Sequence, residues 1–150
     1  GGRVIMEGDA TISGFKSAGS VYITHGGFIM QGKSRIYDCE SDSDGGAIYL
    51  ANINNTFTLR EKATIENCKA ATDGGAIYHK GSTVTIESGS IINCEAGRRG
   101  GAICIGTNSS SEDLPHDMTL KIKGGIIKDN KTSAFPKRET IEETKRRLGF

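Results

Sequence analysis

The hexapeptide DGGAIY occurs at residues 44–49 and again at 73–78, 29 residues later. Self-similarity at a period of 20–50 residues is the signature of solenoids, propellers and arrays, so it constrains the fold before any local motif is read. Four segments share one register: GSVYI (19–23), GGAIYL (45–50), GGAIYH (74–79) and GGAICI (100–105). Aligned on Val21, Ile48, Ile77 and Ile103, they step by 27, 29 and 26 residues. The intervening stretches repeat as well: RVIMEGDATISGF, GFIMQGKSRIYDC, TFTLREKATIENC and TVTIESGSIINC, with MTLKIKGGIIKDN (118–130) as a looser fifth copy.

Within each copy the apolar residues alternate, as in Val4/Met6, Phe57/Leu59 and Val84/Ile86. That is the period of a strand, not of a helix. Three short strand-like runs per copy, separated by Gly, Asp, Asn and Ser, predict a parallel, right-handed β-helix of about five three-strand rungs over residues 1–133. Stacking turns sequence positions into ladders. The expected interior columns are Val21/Ile48/Ile77/Ile103, Met6/Met30/Leu59/Ile86/Ile122 and Ile12/Ile36/Ile65/Ile91/Ile127, followed three residues later by Phe15/Cys39/Cys68/Cys94/Asn130. Such a thin core suits a chain with 35% apolar and 6% aromatic residues, no Trp and 21 Gly in 150. An outward column, Glu7/Gln31/Arg60/Glu87/Lys123, is expected to set Arg60 beside Glu87 and Glu87 beside Lys123.

The GGAI segments resemble the GGA(I/L/V) half of the repeat in bacterial polymorphic outer-membrane proteins. IKDN (127–130) resembles its FxxN partner motif with Ile for Phe. VIMEGDATISG and VTIESGSIINC are also similar to long Gly-rich β-helix repeats of anaerobe surface proteins. The resemblance covers roughly residues 1–133 and implies a surface-protein β-helix with an extracellular or cell-surface location. The chain departs from the pattern where Cys39, Cys68 and Cys94 replace the Asn of FxxN, and where KSAGSVYI lacks the double Gly.

Cys39, Cys68 and Cys94 follow the rung period, at spacings of 29 and 26 without CxxC, so a ladder of buried thiols is expected there; Cys104 lies in another column, at a Tyr position. Tyr22, Tyr49 and Tyr78 fall between inward residues and are expected to form an exposed aromatic stack, a candidate ligand-binding platform for sugar rings. The pairs Gly45/Gly46, Gly74/Gly75 and Gly100/Gly101 lack the GK[ST] and helix of a phosphate loop and read as turns needing positive φ. His25, His79 and His116 fall at or near turns with no acid opposite. Asp42 and Asp44 in CESDSDGG suit weak Ca²⁺ binding, but a solvated turn is the default; no metal, cofactor or catalytic residue is assigned. Sequons occur at Asn54, Asn108 and Asn130.

Residues 106–117 form a polar insertion. Residues 134–150 form a separate tail, in which Thr140 and Glu143 make a capping-box pattern and a helix is expected at about 140–148, carrying Ile141 and Leu148 on one side. This helix is expected to cap the last rung, with no counterpart at the GGRVIM end, where the chain is expected to continue or pair with another subunit. A net charge of +1 gives no case for nucleic acid, and no apolar run spans a membrane in this fragment. The expectation is a non-enzymatic structural or adhesive module presenting a rigid face to a glycan or a host or other protein surface. The alternatives are a polysaccharide-active, pectate lyase-like enzyme or its degenerate relative, and a solenoid subunit that stacks end to end through its uncapped first rung.

Overall fold

In the computed structural model, residues 2–17, 21–106, 119–133, 145, 146, 148 and 149 are described. The 106–117 insertion beyond Gly106, the Asn108 sequon, His116 and most of the helix expected at 140–148 lie outside them. The first turn carries β1 (Arg3–Met6), β2 (Thr11–Ser13) and β3 (Val21–Ile23). The second carries β4 (Gly27–Met30), β5 (Arg35–Tyr37), β6 (Glu40–Ser41) and β7 (Ile48–Leu50). The third repeats this with β8 (Thr56–Leu59), β9 (Thr64–Glu66), β10 (Lys69–Ala70) and β11 (Ile77–His79). The fourth has β12 (Thr83–Ile86), β13 (Ser90–Ile92), β14 (Glu95–Ala96) and β15 (Ile103–Ile105), and a partial fifth has β16 (Thr119–Ile122), β17 (Ile126–Lys128) and β18 (Lys131–Thr132).

Every pairing is parallel and joins equivalent strands of successive turns, in the orders β1-β4-β8-β12-β16, β2-β5-β9-β13-β17, β6-β10-β14-β18 and β3-β7-β11-β15. The chain is an all-β parallel solenoid of about four turns. The register follows the sequence columns: Ile36 lies between Ile12 and Ile65, Leu59 between Met30 and Ile86, and Ile77 between Ile48 and Ile103. The second, third and fourth turns have four strands each, not three. The extra one is only two residues long and follows the Cys ladder.

The short strand exists because the backbone reverses its local hand just before it. Gly14, Asp38, Asn67, Asn93 and Asp129 stack in one column, and all five have φ between 54° and 74°. Gly has no Cβ to clash there, and Asn and Asp tolerate left-handed backbone better than other residues. The bend turns the following residue inward: Cys39, Cys68 and Cys94 are fully buried. Phe15, at the same position in the first turn, is exposed because no turn covers it.

The core is a column of one-residue layers. Phe28, Met30, Ile36, Ile48, Leu50, Phe57, Leu59, Ile65, Ile77, Val84, Ile86 and Ile91 are buried together, and each large side chain so buried contributes about 1.5–3 kcal/mol. The apolar ladder at Ile122 and Ile127 runs out into exposure at the fifth turn.

Candidate functional site

The double glycines do two different jobs. Gly45, Gly74 and Gly100 have φ of 72°, 71° and 64°, as the turn reading requires. Gly46, Gly75 and Gly101 carry no positive φ. A Cβ on Gly46 would overlap the Gly75 carbonyl oxygen, and one on Gly75 would overlap that of Gly101. The second glycine is therefore required by close approach of successive turns, which revises the expectation that both serve φ.

The same turns seat the tyrosines. A Cβ on Gly45 would lie 3.3 Å from the Tyr49 Cβ, and one on Gly74 would lie 3.0 Å from the Tyr78 Cβ. Tyr22, Tyr49 and Tyr78 are brought into one ladder by β3, β7 and β11. Tyr22 and Tyr49 have ring centroids 4.8 Å apart at 7°, and Tyr49 and Tyr78 are 5.1 Å apart at 28°.

Those distances equal the strand spacing, so the rings lie face to face along the solenoid axis and show solvent their edges and hydroxyls. A platform on which sugar rings lie flat is therefore not what the ladder offers, because the stacked tyrosines cover one another's faces. Exposure also falls along the ladder, from 61% at Tyr22 through half-buried Tyr49 to 7% at Tyr78. The expectation of three exposed tyrosines is corrected at Tyr78, whose hydroxyl packs so closely on Gly106 that a Cβ there would overlap it. Burial also pushes the Tyr78 phenol up. Lys80 Nζ lies 5.8 Å from the Tyr49 ring centroid, adding a cation at the edge of the stack.

At the other end of these strands sits a charged corner that the sequence reading did not assemble. Asp73 is 1% exposed and bound by two guanidinium groups. Arg98 donates to its two oxygens at 3.0 and 2.7 Å, and Arg99 donates to Oδ2 at 3.3 and 2.7 Å. Arg98 and Arg99 hold the Asp73 carboxyl well below the usual carboxylate range. One turn earlier Asp44 accepts from Thr72 Oγ1 at 2.5 Å and from the Asp73 amide at 3.0 Å. Asp44 is thus committed to joining two turns, and two carboxylates there are balanced by two arginines. The signal was the substitution DGG, DGG, RGG along one column.

A second missed column lies on the short fourth sheet. Lys16, Glu40, Lys69, Glu95 and Lys131 stack in order, alternating in charge at every step. Lys131 Nζ is 3.8 Å from Glu95 Oε2. Beside this column a groove of about 310 Å³ is lined by Glu40, Ser41, Asp42, Lys69 and Glu95 together with small residues such as Ala70 and Gly97. The expected pairing of Arg60 with Glu87 is not formed. Arg60 turns back to Gln31 Oε1 at 3.0 and 2.5 Å, and Gln31 donates to Glu7 at 2.8 Å. The neutral amide offers Arg60 a nearer acceptor.

The cysteine ladder is built as expected. All four thiols are free and buried. Cys39, Cys68 and Cys94 each donate to the carbonyl two residues back, at 3.3, 3.4 and 3.5 Å. The neighbouring Cys94 sulfur and then burial push the Cys68 thiol up, keeping it protonated. At the same position Asn130 accepts from the Cys94 amide at 2.8 Å and donates to the Ile91 carbonyl at 3.0 Å. Its amide is therefore used in the fold, whereas Asn54 is exposed in a turn.

His79 is corrected too. It is the last residue of β11, next to a turn as expected, but it points inward and is fully buried between Leu50 and Ile105, with neither ring nitrogen hydrogen-bonded. No helix among the described residues is long and apolar enough to cross a membrane, and no His, Cys, Asp or Glu cluster among them is arranged to hold a metal ion. Comparisons with protein-family models, curated proteins and solved structures give no match to this chain.

Proposed function

We propose that this chain is a non-enzymatic module of a surface or secreted protein that presents a rigid face to a glycan or protein. The reading rests on one observation: the edges and hydroxyls of Tyr22 and Tyr49 are fixed at the solenoid spacing, with Lys80 at one end of the strands and the Arg98–Arg99 pair at the other. Tyrosine supplies large contact area at low entropic cost because only two side-chain torsions are frozen, and here the stack freezes them beforehand. The surface-protein resemblance of the GGAI repeats points the same way. A glycan array and a protein pull-down with Tyr49→Phe and Tyr49→Ala test it. Binding kept by the Phe variant and lost by the Ala variant assigns the ring edge, and loss in both assigns the hydroxyl. Unchanged binding in both removes the Tyr face from the reading.

A second reading, a polysaccharide-active enzyme, draws on the groove of the fourth sheet. Glu40 and Glu95 lie two strands apart, about 10 Å along the backbone, with Lys69 between them. That backbone spacing lies just beyond the roughly 6.5–9.5 Å that separates the two carboxyls of inverting glycosidases. Depolymerisation of an acidic or neutral polysaccharide, abolished by Glu40→Gln or Glu95→Gln, would establish it.

A further inference from the structure

We propose that copies of this chain join end to end, the first turn of one meeting the last turn of the next through the open edges of β1 and β16 and of β2 and β17. The interior columns end in exposed apolar side chains at the last turn, and at the first turn the Val4 column does so while Met6 is buried and Ile12 half-buried. Val4 is 53% exposed at the first turn and Ile122 is 57% exposed at the last, with Leu120 and Ile127 also exposed. Joined in the register of every internal step, Leu120 would meet Val4, Ile122 would meet Met6, and Ile127 would meet Ile12.

Two of the three contacts have a precedent inside the chain, since Val84 meets Leu120 and Ile91 meets Ile127, and the third joins two residues of one all-apolar column. The outer edges of β1, β2, β16 and β17 carry backbone groups that no strand of the described chain pairs. An in-register parallel strand is the ligand that satisfies them.

The outward columns grade the junction. Glu7 would meet Lys123, an opposite pair, whereas Lys16 would meet Lys131, a like pair. The alternation Lys16, Glu40, Lys69, Glu95, Lys131 is broken only where a second copy would join. The junction is therefore heterologous, open at both ends, and held below its full strength by one repulsive contact.

Sedimentation velocity of the whole chain against concentration tests this. The wild type is expected to form linear oligomers whose size grows with concentration, and Lys16→Gln to shift growth to lower concentration. Val4→Lys and Ile122→Lys alter exposed side chains at opposite ends, so each should remain folded by circular dichroism and lose self-association. Mixed, they still own one intact face each and should form a heterodimer and nothing longer. A wild type monomeric at every concentration overturns the proposal, as the helical cap expected from the sequence would produce. So does oligomerisation undiminished in both variants, or a mixture that stays monomeric.

Discussion

Arg98 grips the two oxygens of Asp73 at 3.0 and 2.7 Å, although Asp73 is buried and the arginine side chain is 56% exposed. The burden of this pair is therefore one-sided. Losing the carboxylate leaves two arginines that water can solvate. Losing both arginines leaves a buried charge with its backbone setting intact.

We expect Asp73→Ala to cost about 2 kcal/mol, in the range for hydrogen bonds to charged groups. Arg98→Ala with Arg99→Ala should lower the melting temperature further. Because the folded-state pKa of Asp73 is depressed, its contribution is present above the unfolded value of about 3.9 and is lost as pH falls below it. Urea titrations at pH 7 and pH 3 check this: the gap between wild type and Asp73→Ala should narrow in acid, and a constant gap would contradict the assignment.

The interior histidine gives the opposite kind of test. His79 stands where Leu50 and Ile105 stand in neighbouring turns, and burial lowers its pKa. An unmet buried polar group costs about 1–3 kcal/mol. His79→Leu should therefore stabilise the fold by about 1–2 kcal/mol at pH 7. A depressed His pKa means that stability is full above the unfolded value of about 6.5 and falls as pH drops below it, since the unfolded chain takes up the proton first. Unfolding midpoints between pH 7.5 and 5 should slope in the wild type and flatten in His79→Leu. Equal slopes would show that His79 does not carry the dependence.

The position of His79 also shows what the sequence made legible and where reading stopped. Ile77 in, Tyr78 out, His79 in is ordinary strand alternation, so its burial was readable from its neighbours. The adjacent glycine and polar residues drew attention to a turn instead. The repeat period identified which residues stack, because register follows from equal spacing, and so the Ile and Cys ladders were recovered. It did not reveal the fourth strand, since two residues are too short to alternate and the preceding left-handed residue breaks the phase. Nor did a column of tyrosines disclose that the rings cover one another, because ring orientation depends on the strand spacing and not on residue identity. The Lys16-to-Lys131 alternation was visible in principle, one residue beyond the Cys column.

The two classes of glycine separate under substitution. Gly14 has φ 74° with nothing within 4 Å of a Cβ, and its column otherwise holds Asp or Asn. Gly14→Asn is expected to change stability by less than about 1 kcal/mol, because Asn suffers little in that backbone region. Gly75→Ala would drive a methyl group into the Gly101 carbonyl and against the Glu95 backbone. Backbone cannot swing aside as a side chain does, so a loss of about 3 kcal/mol or more is expected, at the upper end of overpacking costs. Thermal unfolding of the two variants decides it: equal losses would mean that conformation, and not close approach, governs the second glycine.

The thiol ladder predicts silence in the native state. Cys39, Cys68, Cys94 and Cys104 are buried and free, and burial raises the Cys104 thiol while Cys94 and burial raise that of Cys68. Reactivity needs an exposed thiolate, and burial denies all four thiols that exposure. Ellman's reagent at pH 8 should label no cysteine in the folded chain and four in denaturant. Cys68→Ala removes a sulfur between two others, leaving a small void, and should cost about 1 kcal/mol without changing the fold. Cys68→Asn places the side chain that stands at Asn130 into a fully enclosed turn. There it can repeat the Asn130 bonds only if its amide reaches the backbone of the turn before, Cys39 and Ile36 having the places that Cys94 and Ile91 have for Asn130. Retained stability in Cys68→Asn would mean that thiol and amide are interchangeable solutions at this corner. A loss of several kcal/mol would mean that the interior turns have closed around the smaller group.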